Sequence, residues 1–265
     1  MIQPFGRTNK VFPTIWPKLL QPADLSEAEK MAELAVKWQA PVEVSSSQVM
    51  WGHYLRGADV PFIGLIGREV SKTSDAPAAS RVLQASLLAL LSALGRDCLE
   101  FCFLPVKTAL EEHQITGALD AMEEAREEGL IKFFGLQVLG SPWAAQSVWQ
   151  FHDAFEAIMI PQTPTGESES SLRPMADSRR VGVVMSSPLT FGGSDSLGNH
   201  PSVQTAANGA NPHLSLLAAS AKKGPTLLGC RSLQEMEEAQ NWAPFVENSE
   251  AALAAARTTF GESSE

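Results

Sequence analysis

The sequence is short of cysteine, tyrosine and positive charge. Its 265 residues hold three Cys, one Tyr, and 20 Lys and Arg against 30 Asp and Glu, for a formal net charge of −10. Three is an odd count, and Cys98, Cys102 and Cys230 do not have zinc-ligand spacing, so free thiols in a reducing compartment, the cytoplasm, are expected. The deficit of cations argues against a nucleic-acid-binding surface, which needs clustered Lys and Arg to displace counterions. No continuous apolar run follows a basic start at the N-terminus, and the longest one, residues 85–94, is too short to span a bilayer. No P-loop, nucleophile elbow or metal-ligand spacing occurs.

What is present is an ordinary globular balance, 44% hydrophobic and 19% charged, in a chain long enough for one large α/β domain. Ser26 followed by Glu29 reads as a capping box opening a helix over 25–39. A short strand at 42–44, a serine loop and an apolar strand over 60–66 follow. From residue 79 the rhythm is regular. Helix 79–94 stops at Gly95, strand 98–104 follows, helix 115–128 stops at Gly129, and strand 131–136 comes next. Helix 142–152, strand 156–161, a short helix near 173–179 and strand 181–186 continue it, and a loop over 191–212, helix 213–222, strand 225–228 and helix 232–241 end it. Such alternation predicts a parallel sheet wound with helices. The spacing gives one domain over 1–256 and a frayed tail over 257–265.

Specific words choose among such folds. Residues 86–104 (SLLALLSALGRDCLEFCFL) resemble the aldo-keto reductase helix "SLxRLG" followed by "DYIDLYLLH", and residues 118–137 (ALDAMEEAREEGLIKFFGLQ) resemble "ALxxLxxxGKIRxIGVS". GVVMSSPLTFGG at 182–193 is similar to "GIxVxAYSPLGxG", PTLLGCRSLQEMEE at 225–238 to "xxIPGARSxEQLxE", and the opening GRTNKVFPTI to "LGxTGxxVxxI". The resemblance spans nearly the whole chain. It implies an aldo-keto reductase-like (β/α)8 TIM barrel with a shortened or irregular N-terminal part, its chemistry at the C-terminal ends of the strands. For the family it also implies NADPH-dependent reduction of aldehydes and ketones.

That chemistry needs a hydride and a proton. In the family a Tyr supplies the proton, its pKa of about 10 tuned by a Lys paired with an Asp, while a His orients the carbonyl. The motif "DTAxxYG" falls on residues 46–52, with Ser46 at the Asp position and Trp51 at the Tyr position. An indole N–H donates hydrogen bonds but is not a usable general acid. Ile66 stands where the strand "FIATK" carries its Lys, and Pro105 where "LYLLH" carries its His. No catalytic residue is therefore assigned. Tyr54, the only tyrosine, with neighbouring His53, offers a shifted acid; a loop pair serving the surface or packing is the simpler account. Lys72 follows the strand without a carboxylate partner other than Asp75.

The resemblance also implies an adenosine-side cofactor site at Ser187, Leu189, Gly229, Arg231 and Ser232, with Ser232 capping a helix whose N-terminal amides attract an anion. Against it, Val138 stands where the family has the nicotinamide-binding Asn, and Ala239 where it ends "EN". The expectation is no cofactor or weakly bound NADPH. Six tryptophans suggest an aromatic face, but Trp38, Trp143 and Trp149 read as packing residues of amphipathic helices. Glu123, Glu124, Glu127 and Glu128 read as a docking patch or as a solvated helix face. Three readings follow: a catalytically impaired homologue serving as a structural or regulatory subunit with a protein partner; an NADPH-dependent oxidoreductase with a non-standard proton donor; and a barrel binding a small apolar ligand in a pocket lined by Trp51, Ile66 and Pro105.

Overall fold

The computed structural model describes residues 4–150, 152–161, 167–190 and 224–247. Eight parallel strands close into a barrel in chain order. They are β1 (Ile15–Leu19), β2 (Val42–Glu43), β3 (Phe62–Leu65), β4 (Leu99–Val106), β5 (Ile131–Val138), β6 (Ala157–Pro161), β7 (Gly182–Thr190) and β8 (Thr226–Cys230). β1 pairs with β8 over five residues, from Ile15 opposite Thr226 to Leu19 opposite Cys230, and this pairing closes the ring. The helices are α1 (Ala28–Trp38), α2 (Gln48–Tyr54), α3 (Ala76–Leu94), α4 (Glu112–Glu127), α5 (Pro142–Trp149), α6 (Glu167–Ser178) and α7 (Leu233–Glu247). The alternation and closure are those expected from the sequence.

Local chemistry sets the boundaries. Asp75 accepts a hydrogen bond from the Ala78 N–H and Pro77 occupies the first turn, so α3 starts three residues before its apolar periodicity becomes visible. Gly95 at φ +61° ends it in the left-handed conformation. The predicted Ser26–Glu29 box does not form. Asp24 instead accepts from the Ser26 N–H, a 3-10 turn covers Leu25–Glu27, and α1 begins after it. α6 is longer than predicted because Glu167 to Leu172 join the turn that contains Pro174. The expected loop at 191–212, helix at 213–222 and tail at 257–265 lie outside the described residues.

α3 is longer and more apolar than the run 85–94 suggested. Its 19 residues, with a mean hydropathy of 1.3, suffice by length and composition to cross a membrane. In the barrel it instead fills a place in the helical ring. Leu83, Leu87, Leu90, Leu91 and Leu94 are buried, and the helix packs against α2 and α4. Gly52 of α2 permits this approach, since a Cβ there would stand 2.2 Å from the Ala93 carbonyl oxygen.

The N-terminal end of the barrel is sealed by aromatic rings. Phe5 and Phe12 pack edge-on against Phe101 with centroids 5.6 and 5.4 Å away, while Trp16 and Phe133 each lie 5.4 Å from the same ring. Phe101 is wholly buried, a contribution of about 1.5–3 kcal/mol from its own burial. Around this plug Glu100, 5% exposed at its side chain, receives Lys10 and Lys132 at 2.7 Å each. Arg7 donates to the Asp153 carboxylate at 3.1 Å and to the Phe155 carbonyl at 2.8 Å, which ties the first turn across the barrel floor.

Candidate functional site

Barrel strands tilt, so residues at one height come four at a time from alternate strands. Strand pairing fixes those heights here. Above the aromatic plug lie Trp16, Ile63, Gly135 and Val184; then Glu43, Phe103, Met159 and Leu227; then Lys18, Leu65, Gln137 and Ser186; and at the mouth Ser45, Pro105, Pro161 and Gly229. Side-chain contacts agree with this stacking. Lys18 Nζ meets Glu43 Oε2 at 3.2 Å, and Gln137 Nε2 meets Met159 Sδ at 3.4 Å. The Phe103 ring fills the space left by Gly135, 2.9 Å from where a Cβ would stand.

Charge therefore enters the interior two levels below the mouth, at Glu43, and the next level adds Lys18 and Gln137. Glu43 is fully buried, its Oε1 accepts the Ser45 N–H at 2.6 Å, and its Oε2 faces Lys18, whose side chain is 33% exposed. Across the barrel Gln137 is 7% exposed, and no protein donor reaches its Oε1. An open cleft of about 420 Å³ between the β1–α1 and β2–α2 loops, lined by Gln21, Ser45, Ser47 and Gln48, adjoins this layer through Ser45. Sequence reasoning passed over Lys18 and Glu43. The available signal was a lone carboxylate between two valines in a strand that should be buried.

The positions compared with the catalytic pattern are placed as follows. Ser46 is exposed on the loop and donates to the Leu19 carbonyl at 3.2 Å. Trp51 is wholly buried on α2, and its Nε1 has no partner. Ile66 faces away from the barrel interior, on the side of Gly64 and the α3 leucines, so the inward residue at that strand end is Leu65. Pro105 does face inward. Ile66 therefore does not join Pro105 in lining the barrel interior.

His53 and Tyr54 lie on helix α2, not in a loop, and both are exposed. Because α2 descends from the mouth outside the strands, its sixth step carries Tyr54 about 9 Å down the outer ring. It does not reach the polar layer. Lys72 pairs with Glu69 at 2.6 Å on the surface, and Asp75 caps α3. Trp38 and Trp149 are buried as expected, whereas Trp143 is 66% exposed. Of the acidic run, Glu123 pairs with Arg126 and Glu124 accepts from Gln84 at 2.5 Å, while Glu127 and Glu128 are exposed.

The proposed cofactor residues divide. Ser187 and Leu189 fall within β7, where the backbone alone is described. Gly229 pairs with Lys18 and Thr190 at the mouth. Arg231 is exposed, and Ser232 caps α7 as expected, accepting from the Glu235 N–H at 3.2 Å. The end of that helix is not free for an anion. Glu235 folds back to accept the Arg231 N–H at 2.5 Å, and Glu27 accepts the Leu233 N–H at 3.2 Å. Burial raises the Glu235 pKa above the usual carboxylate value, while its amide hydrogen bonds hold it down. One carboxylate and the Ser232 hydroxyl thus occupy two of the first amides of α7, a second carboxylate sits on the amide before it, and the residues present fit a bound phosphate poorly.

Cys102 and Cys230 are buried and Cys98 is half-buried, all three as free thiols. Burial pushes the Cys102 and Cys230 thiols far above their ordinary range. No group of three or more metal-ligating side chains occurs among the described residues.

No protein-family model matches the chain, and no curated protein matches it. Solved structures do match in shape. An aldo-keto reductase from Klebsiella pneumoniae in complex with NADP and acetate shares 14% identity over 100% of this chain and 97% of its own, with a TM-score of 0.70. The holo form of one from Bacillus halodurans shares 12% over 99% and 98%, at 0.67. A putative one from Pseudomonas aeruginosa shares 16% over 96% of each chain, at 0.65. Closure, strand order and these likenesses agree that the chain has the (β/α)8 barrel fold of the aldo-keto reductases.

Proposed function

We propose that this barrel does not reduce carbonyls with NADPH and serves as a structural or regulatory subunit of a larger assembly. The observation that carries the reading is the N-terminus of α7, where Glu27 and Ser232 take two of the helix's first amides and Glu235 folds back onto the Arg231 amide just before them. The sequence supports it, with Ser46, Trp51, Ile66 and Pro105 where the family's pattern has a carboxylate, a phenol, an ammonium and an imidazole. Losing a general acid alone forfeits on the order of 10²–10⁴ in rate.

A second reading is NADPH-dependent reduction with a non-standard proton donor. It is favoured by the Lys18–Glu43 pair at the mouth and by structural neighbours solved with NADP or NADPH. Titration of the chain with NADPH, followed by tryptophan fluorescence, and turnover with aldehydes, ketones and quinones separate the two. The first reading expects no saturable turnover and a stoichiometric protein partner on purification from the native host. Robust NADPH oxidation overturns it. Glu235→Gln is expected to strengthen NADPH binding relative to the parent chain.

A further inference from the structure

We propose that the outer face of α3 is the interface of a two-fold homodimer, in which α3 packs antiparallel against its copy. A helix on the outside of a domain buries one side and turns charged residues to water on the other. α1 does so with Glu29, Glu33 and Lys37, and α4 with Asp120, Glu124 and Glu127, all exposed. α3 does not. Along its 19 residues the only charge is Arg81, and the exposed positions beyond it are Ala85, Leu88, Ala89 and Ser92. Leu88 is 56% exposed, and only 33% of the helix's apolar 18-residue stretch is buried in the barrel. A helix without a charged side is one that is covered on all sides.

Charges at the two ends of this face select a second copy as its cover. Arg81 stands near the start of α3 and Asp97 in the turn after Leu94; both are exposed, and neither forms an ion pair among the described residues. Arg96, beside Asp97, gives its hydrogen bonds to the Leu55 and Ala58 carbonyls. A two-fold axis through Ala89, lying in the contact plane and perpendicular to α3, sets Arg81, about 12 Å from Ala89 along the helix, opposite the other copy's Asp97. Symmetry makes that contact twice. Between the two pairs the small side chains of Ala85, Ala89 and Ser92 allow close approach, and Leu88 of each copy covers the other's alanines. A lipid surface fits less well, because the exposed acids of α4 and the net charge of −10 oppose an anionic membrane. One helix face is small beside the roughly 800 Å² per partner of a standard interface, so a micromolar dissociation constant is expected. The exposed ion pairs fix orientation more than they add affinity.

The test is sedimentation velocity of the whole chain over a concentration series, with thermal melting of dilute samples to show that each variant folds. Reversible dimerisation is expected. Ala89→Glu sets two like charges on the axis and is expected to weaken dimerisation about tenfold or more, with the melting of the monomer unchanged because the position is exposed there. Leu88→Gln, a milder change with an expected several-fold loss, keeps the interface testable if Ala89→Glu fails to fold. Arg81→Asp and Asp97→Arg are each expected to weaken the dimer several-fold, and the two together to restore it. A chain that stays monomeric throughout the series overturns the proposal, as does a dimer indifferent to folded Ala89→Glu or Leu88→Gln, or a double charge variant no tighter than the single ones. Flotation with phosphatidylcholine vesicles that is lost in Ala89→Glu would assign the face to lipid and overturn it too. Dimerisation is read without NADPH, so its failure leaves the reading under Proposed function standing, and the reverse holds.

Discussion

The two ends of the barrel are built on opposite principles. At the N-terminal end four aromatic rings interlock around Phe101, and the buried carboxylate there, Glu100, has two lysines at hydrogen-bond distance. At the C-terminal end a buried carboxylate has one lysine, and a glutamine oxygen opposite has no protein partner. The first end gives its buried carboxylate two cations under a packed plug; the second leaves hydrogen-bonding capacity of Glu43 and Gln137 unused. Barrels keep stability at the bottom and chemistry at the top. In this chain the interlocked rings lie at the bottom, and the ion pair of Lys18 and Glu43 lies nearer the top.

The contrast can be broken most strongly from below. Phe101→Ala should empty the centre of the plug and lower the unfolding free energy by about 3–5 kcal/mol, read from urea denaturation. A loss below 1 kcal/mol would mean that the rings do not hold the floor together.

The mouth should respond differently to single and paired changes. Lys18→Met strands Glu43 as an uncompensated buried charge and is expected to cost roughly 1–3 kcal/mol, less than a fully enclosed pair because Lys18 is partly solvated. Lys18→Met with Glu43→Leu removes both charges and should recover most of that loss. A double variant as weak as the single one would show that the pair contributes net stability. The polar layer would then be a structural element and not a reserve of unused capacity.

The smallest effect belongs to Glu235. Its folded-state pKa is raised by burial, so its stabilising contribution is complete below the unfolded value of about 4.3 and falls away as pH rises through the raised one. Glu235→Gln keeps an acceptor for the Arg231 N–H without the charge. The variant should therefore melt above the parent at neutral pH, with the two melting curves converging near pH 4.

Most of the barrel was legible in the sequence, for a physical reason. Strands covered on both faces read as unbroken apolar runs such as CLEFCFL, and Gly95 and Gly129 mark where their preceding helices stop. Of the two elements nearest the mouth, β2 was legible as the short strand at 42–44, and β1 was not, because it contains a proline and a lysine and has no hydrophobic pattern to detect. Tyr54 was misplaced because Gly52 disfavours helix, yet that glycine is required by the contact with Ala93, which a one-dimensional pattern cannot display. Ser232 was legible as a cap. Glu27, reaching the same helix from 206 residues away in sequence, was not.

Closure of the ring through β1 and β8 has a consequence for how the molecule is made. Ile15 has Thr226 as its partner on one edge, so the first strand of the ring keeps an open edge until the eighth has been made. Contacts this distant in sequence are slow to form. The residues around Lys18 are therefore among the last of the ring to acquire a finished environment, and the mouth is completed only once β8 is in place.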